Sequence, residues 1–333
     1  MRRFILLTLI LLTLGACEKA LMREEASNNP LANYDELWQR LNDRYAYFQI
    51  KNINWDSLGT VYRAPLSLQS SDEELFSAMD SLLYALRDGH VNLIAPFDIN
   101  RNWEWYLNSP QNFNWEIVER NYLGRDHKIA GGIRYVYLPD SIAYLYYGSF
   151  SSSFSTAQLD YIFNYFKDAK GLIVDVRNNG GGSLNNAFRL AERLVKTAGP
   201  VLVTDQKTGP KPQDFGNDLQ YNLSPSSRAN FTKNTILLTN RSCYSATNTF
   251  AALLKSQAHI IQLGDTTGGG GGLPVDYELP NGWNYRFSST RSFLPTGENI
   301  EMGVLPEFAL NIDSNDYRLG RDGFIEAALL ALD

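Results

Sequence analysis

From Ile142 onward the chain alternates strand-like apolar runs with helix-like segments, and no other feature restricts its fold as sharply. IAYLYYGSF (142–150) leads into a helical pattern from Leu159 to Phe166. LIVDVR (172–177) is followed by a helix over Leu184 to Lys196, then by VLVT (201–204), TILLTN (235–240), a helix over Ala246 to Lys255, and HIIQLG (259–264). Strands separated by helices predict an α/β core with a mainly parallel sheet. The stretch Val275 to Ser288 reads as a hairpin about Asn281-Gly282, because Asn-Gly between strand-like runs favours a tight turn. The core is expected over 141–333.

Upstream the period changes. Tyr34, Leu37, Trp38, Leu41, Tyr45 and Phe48 fall at three-four spacing, which puts them on one helix face. A second helix is expected over Asp56 to Tyr62. A third opens on the capping box Ser71-Asp72-Glu73-Glu74 and carries Leu75, Met79, Leu82, Leu83 and Leu86 on one side. Together they predict a helical N-terminal unit over 33–90. Residues 91–140 are rich in Trp, Asn and Tyr, with weak strand signals and no clear period, and are read as a connecting region of irregular and β structure.

The N-terminus reads as an address. Arg2 and Arg3 precede an apolar run from Phe4 to Leu14 that is too short to span a bilayer as a mature helix, so 1–16 is expected to be a signal peptide. Leu14-Gly15-Ala16-Cys17 resembles a bacterial lipobox, which implies lipid on Cys17, a polar tether over 17–32 and a place in the bacterial cell envelope as a periplasmic or outer-membrane lipoprotein. An ordinary secretory signal that happens to contain a cysteine is the alternative. With Cys17 lipidated, Cys243 is the one cysteine left, so no intrachain disulfide can form. A formal charge of −6 argues against nucleic acid as a partner.

Three segments carry polar chemistry. In LLTNRSCYSATNTF (237–250), Ser245 stands at a strand-to-helix junction, where it either caps the helix or presents its hydroxyl beside free amides such as that of Ala246. In LIVDVRNNGGGS (172–183), the glycines let the backbone bring N–H groups up to an anion. A phosphate loop is disfavoured there, because no Lys-Ser/Thr follows and the dinucleotide-binding glycine spacing is absent. In LRDGHVNL (86–93), His90 follows Asp88-Gly89. The other two of the three histidines, His127 in a charged loop and His259 before an apolar strand, suggest solvated or structural roles.

The three segments, in this order, resemble the tail-specific (C-terminal-processing) serine peptidase family on its tricorn-like branch, without a PDZ module, for which 91–140 is too short. The resemblance covers most of the chain from Tyr34. It implies a helical N-terminal domain like tricorn's C1 domain and a spiral α/β core like that of ClpP and crotonase. It also implies a serine peptidase acting through an acyl-enzyme on peptides or unfolded protein tails, with no metal and no organic cofactor. Ser245-Ala246-Thr247 matches the nucleophile context, and Asp88-Gly89-His90 matches the segment bearing the base. Gly180 or Gly181 would join Ala246 in the oxyanion hole. Ile300-Glu301-Met302-Gly303-Val304-Leu305-Pro306-Glu307 resembles the late segment whose Glu orients the histidine. In tricorn that Glu works through a Ser directly before the histidine, which here is Gly89, so Asp88 is a second candidate orienter. The lysine of a Ser-Lys dyad would fall at Gly270, so either His90 is the base or the protein is inactive, and the run Gly268 to Gly272 is expected to form a mobile wall of the cleft. Two other readings compete: a non-catalytic binding lipoprotein on the same fold, in the manner of interphotoreceptor retinoid-binding protein, and a glycan-binding surface around Trp103, Trp105, Tyr106 and Trp115.

Overall fold

The computed structural model describes residues 27–103, 107–311 and 314–333. The signal segment, Cys17, most of the tether, Trp105 and Tyr106 lie outside them.

Three helices open the chain: α1 (Pro30–Arg44), α2 (Trp55–Arg63) and α3 (Asp72–Tyr84). Their starts follow local chemistry, with Asn29 and Asn54 capping the first two and Ser71 and Glu74 forming a reciprocal capping box on the third. Tyr34, Leu37 and Leu41 of α1 and Leu75, Met79, Leu82 and Leu83 of α3 are buried against one another. This core does not close with the helices alone. Strand β1 (Asn92–Ile94) is the edge of a small antiparallel sheet that is completed only near the other end of the chain.

The central sheet has seven strands. After β2 (Lys128–Ala130) and β3 (Ile133–Leu138) come β4 (Ile142–Tyr147), helix α4 (Thr156–Tyr165), β5 (Gly171–Asp175), helix α5 (Leu184–Ala191) and β6 (Gly199–Gln206). They are followed by β7 (Leu219–Leu223), β8 (Thr235–Thr239), helix α6 (Ala246–Leu254) and β9 (Ile260–Gly264). The last elements are β10 (Pro274–Glu278), β11 (Asn284–Ser288), β12 (Thr290–Phe293), β13 (Phe308–Ala309) and helix α7 (Gly323–Leu332). The order is β13-β9-β8-β5-β4-β3-β2, with β4, β5, β8, β9 and β13 parallel. Strands β4, β5 and β8 are buried along their whole length because both faces are covered. Leu172 and Val174 of β5 face α4, α5 and α6, whereas Ile173 faces α7.

One expectation is sharpened and another needs correction. The sheet begins at Lys128, inside the connecting region, whose weak strand signals become real strands: β2 pairs antiparallel with β3, and β3 antiparallel with β4. The β2–β3 turn is Gly131-Gly132, with φ of 59° and 78°, the positive values that a two-residue hairpin of matching twist requires. The hairpin β10–β11 forms where Asn281-Gly282 predicts it but leaves the core, pairing with β1 in the order β1-β11-β10. Tyr285 and Phe287 complete the hydrophobic core of the helical unit, the Phe287 ring lying 6.5 Å from that of Tyr45. The third sheet, β12-β6-β7, stands apart from both.

Candidate active site

Ser245 sits between β8 and α6 with φ 57° and ψ −119°, a conformation a non-glycine residue adopts only when its surroundings impose it. Its amide donates to the Gly269 carbonyl at 2.9 Å, and Gly268 donates to Cys243 O at 2.7 Å, so the glycine loop holds the turn from outside. Although Ser245 occupies the N-cap position, its side chain makes no capping bond. The hydroxyl lies 2.9 Å from His90 Nε2 instead. Capping as the explanation of this serine is therefore set aside.

His90 is buried, and its backbone amide donates to Asp88 Oδ1 at 2.8 Å. Its Nδ1 is 3.4 Å from Ser288 Oγ, on the face of β11 opposite Tyr285 and Phe287. An Nδ1–H donated to Ser288 leaves Nε2 as acceptor for the Ser245 hydroxyl. Sequence reading missed Ser288, though the alternation in Asn284-Tyr285-Arg286-Phe287-Ser288 places it on the side away from the aromatic core. The Tyr244 ring packs at 5.0 Å from the imidazole.

Burial lowers the His90 pKa to about 4, with Asp88 opposing the shift and the cations Arg286 and Lys51 adding to it. A base must be neutral to accept a proton, and a histidine at its ordinary value near 6.5 would lose that form as the pH falls through 6.5. For His90 the protonated form prevails only below about 4. The kcat/KM profile is expected to stay level from neutral pH to about 5 and to fall near 4. A limb near 6.5 would show that a histidine with an ordinary pKa controls turnover.

Glu301 does not reach His90, which corrects its assignment as the orienting residue. Its Oε1 pairs with Lys51 Nζ at 2.7 Å, and its Oε2 accepts the Gly271 amide at 3.0 Å. Lys51 Nζ also lies 3.5 Å from Asp88 Oδ2, which accepts the Tyr45 hydroxyl at 2.9 Å. Lys51, Asp88 and Glu301 are all buried, so one cation serves two carboxyls. Burial opposes charge on Asp88, but Lys51, His90 and the hydrogen bonds it accepts hold its pKa below the ordinary value. Burial pushes Glu301 up to about 7, against the pull of Lys51. The cluster fixes the backbone at His90 from behind. No spacing in the sequence singles out Lys51. The departure at Gly89 also has a cause: a Cβ there would stand 2.9 Å from the Tyr244 hydroxyl, so the tyrosine occupies the space of a side chain.

The glycine segment lies against the turn that carries Ser245. Asn178 and Asn240 exchange two hydrogen bonds, at 3.0 and 2.7 Å, and Tyr244 N donates to Asn179 O at 3.1 Å. The Cys243 thiol, whose pKa burial raises to about 12, donates to Val176 O at 3.0 Å. At Gly181, φ is 103°, and a Cβ would stand 2.8 Å from Ser245 Cβ, so only glycine fits so close to Ser245. The Gly181 amide, however, donates to Asn179 Oδ1 at 3.0 Å. Of this segment, Gly182 rather than Gly180 or Gly181 lines the cavity shared with Ser245 and His90. The choice of a second oxyanion donor therefore widens to include Gly182, beside Ala246 at the first turn of α6.

Gly270 to Gly272 line the cavity with Ser245 and His90, so the expected wall is present, but Gly268 to Gly272 are buried and bonded, which opposes mobility. Gly270 N donates to Glu301 O at 3.2 Å, and a Cβ on Gly269 would stand 1.9 Å from that same carbonyl. Glycine here permits close packing instead of motion. The remaining histidines contact backbone carbonyls, His127 that of Gly124 at 2.7 Å and His259 that of Leu194 at 2.9 Å.

Comparison with known proteins agrees with this architecture. Residues 141–310 match the sequence model of Peptidase family S41, and residues 27–83 match that of the Tricorn protease C1 domain. A crystal structure from Parabacteroides merdae ATCC 43184, described as that of a candidate peptidase, superposes with a TM-score of 0.87 at 41% identity, covering 92% of this chain and 97% of that one. Mature CPAF complexed with lactacystin shares the fold at a TM-score of 0.66 and 12% identity, over 91% of this chain and 97% of that one. The carboxy-terminal processing protease CtpB of Bacillus subtilis (strain 168) is 25% identical over 145 residues, 43% of this chain and 28% of CtpB. The chain thus spans less than a third of the length of that curated relative.

Proposed function

Because this chain belongs to peptidase family S41, we propose that it is a serine endopeptidase or C-terminal-processing peptidase that cleaves peptides or unfolded protein tails through an acyl-enzyme on Ser245. The observation that carries the reading is the 2.9 Å approach of His90 Nε2 to the hydroxyl of a serine held in a strained turn. Ser245 Oγ attacks the scissile carbonyl carbon while His90 Nε2 takes its proton. The carbonyl oxygen becomes an oxyanion facing the Ala246 amide and a glycine amide of 180–182. One such donor is worth about 10²- to 10³-fold in rate. Collapse of the intermediate breaks the C–N bond, and His90 gives its proton to the leaving amine. Water, deprotonated by the same imidazole, then releases the acyl group.

Treatment of the folded protein with a fluorophosphonate probe is expected to add one phosphonyl group, located on Ser245 by peptide mass mapping, and none to Ser245→Ala. Absence of an adduct together with absence of Ser245-dependent peptide cleavage would leave a binding protein as the better reading. We also propose that Cys17 carries lipid and holds the protein in the bacterial envelope. Palmitate incorporation lost in Cys17→Ser would support this, and equal labelling of both would sink it.

A further inference from the structure

After β1 the chain turns back on itself in a short loop. Ala95 N donates to Asp98 O at 2.9 Å and Asn100 N to Leu93 O at 2.8 Å, with Ile94 opposite Ile99. The alternation that buries Leu93 and Ala95 turns Ile94 outward, and Pro96, Phe97 and Ile99 also face solvent. Ile94, Phe97 and Ile99 are 42%, 49% and 46% exposed. The Phe97 ring lies 5.5 Å from that of Phe76 and 5.7 Å from that of Trp283, so packing beneath the loop holds its apolar tip outward. Single apolar side chains on a surface need no explanation, but four within six residues, with Asp98 as the one charge among them, form a patch that does.

The chain enters the fold beside this loop. Asn33, in the first turn of α1, donates from Nδ2 to Asn28 Oδ1 at 3.1 Å, and its Oδ1 accepts the amide of Asn281, at the tip of hairpin β10–β11, at 3.0 Å. Asn281 Oδ1 in turn accepts the amide of Trp283, whose ring packs on Phe97. Asn28 is eleven residues beyond Cys17, a reach of at most about 40 Å when fully extended. A folded chain of this length is about 50 Å across. An anchor at Cys17 therefore turns this end of the protein to the bilayer and keeps the far end out of reach.

Resting on the reading that Cys17 carries lipid, we propose that the loop bearing Ile94, Phe97 and Ile99 seats in the headgroup–acyl boundary of a neutral phospholipid bilayer. Three half-exposed side chains present on the order of 250 Å², far short of the roughly 800 Å² per partner that a stable protein dimer uses. A bilayer needs no such area when an anchor already holds the body close, because linked contacts multiply in affinity. Asp98, whose Oδ1 accepts the Ile99 amide at 2.7 Å, stays at headgroup level and disfavours anionic lipid.

The docking face can be read without lipid on Cys17. The chain from residue 17, with Cys17→Ser and an N-terminal histidine tag, is held on neutral vesicles by nickel-chelating lipid. Phe97→Cys carries an environment-sensitive nitrobenzoxadiazole, Cys243 being buried, and Tyr161→Cys on α4 serves as the exposed control. On tethering, the label at 97 is expected to shift to the blue and to be quenched by doxyl-bearing lipid, and the label at 161 to do neither. Partition of the untagged Cys17→Ser chain into the same vesicles, measured by sedimentation, is expected to fall about 10-fold in Phe97→Asp. Ile99→Asp repeats that test should Phe97→Asp unfold. A label at 97 that stays solvent-like on the vesicles would overturn the proposal. So would a blue shift already present without vesicles, which would assign the patch to a second copy if it grows with protein concentration and to the chain itself if it does not. Failure of the lipid reading would show separately, as wild-type protein that takes up no palmitate while the tethered chain still docks through residue 97.

Discussion

Ser245→Ala is expected to lower kcat/KM for peptide hydrolysis by about 10⁴- to 10⁶-fold, and adding His90→Ala to it is expected to cost almost nothing further. The reason is geometric. In the proposed mechanism the imidazole and hydroxyl, 2.9 Å apart, act as one proton-transfer unit, so losing either member removes the activated nucleophile. His90→Ala alone should therefore fall nearly as far. The residual rate would come from oxyanion stabilisation and substrate binding, which neither substitution touches. The cycle is read from initial rates of the four proteins on one fluorogenic peptide. Independent, multiplying losses would mean that Ser245 and His90 do not act together, and a His90→Ala protein with near-normal rates would require another base. Lys51 is poorly suited to that role, because it is committed to Glu301 and Asp88 with its pKa raised.

The second large effect is on stability. Arg177 is fully buried, its Nε and Nη2 bonded to Asp175 at 2.9 and 2.6 Å and its Nη1 to both oxygens of Asp322 at 2.9 and 3.0 Å. The guanidinium lies between the rings of Phe113 and Phe324, at 4.9 and 5.2 Å. Asp322 also caps α7, accepting the amides of Phe324 and Ile325. Arg177→Met would leave two buried carboxylates with no cation, and breaking a buried ion pair from one side costs about 3–5 kcal/mol. The midpoint of thermal unfolding is expected to drop on the order of 10 °C, measured in the Ser245→Ala background to avoid self-cleavage. A change of only a degree or two would mean that water or a shifted proton compensates the carboxylates. Since Arg177 immediately precedes the asparagine-glycine turn beside the nucleophile, lower activity is expected with it.

Much of this was legible along the chain. Three-residue and four-residue spacing located α1 and α3, a capping box fixed the start of α3, and apolar runs located β4, β5 and β8, because each signal is written within one turn or one strand. The pairing of Ser245 with His90, 155 residues apart, was implied by the resemblance of three segments together to a known family, since neither residue stands out alone.

What the residues around that pair do was settled by tertiary structure. Ser288 meets His90 only because β11 leaves the core to pair with β1, a choice of register between strands nearly 200 residues apart that no local period encodes. Glu301 pairs with Lys51 rather than serving His90, because a buried carboxyl is governed by whichever cation shares its low-dielectric space. The glycine loop is fixed instead of mobile because the Glu301 backbone and the nucleophile turn close on it from both sides. The sequence by itself determined the elements, whose causes are local, and its likeness to a known family pointed to Ser245 and His90. Only the folded chain decided their partners, since burial and strand register depend on everything packed around them.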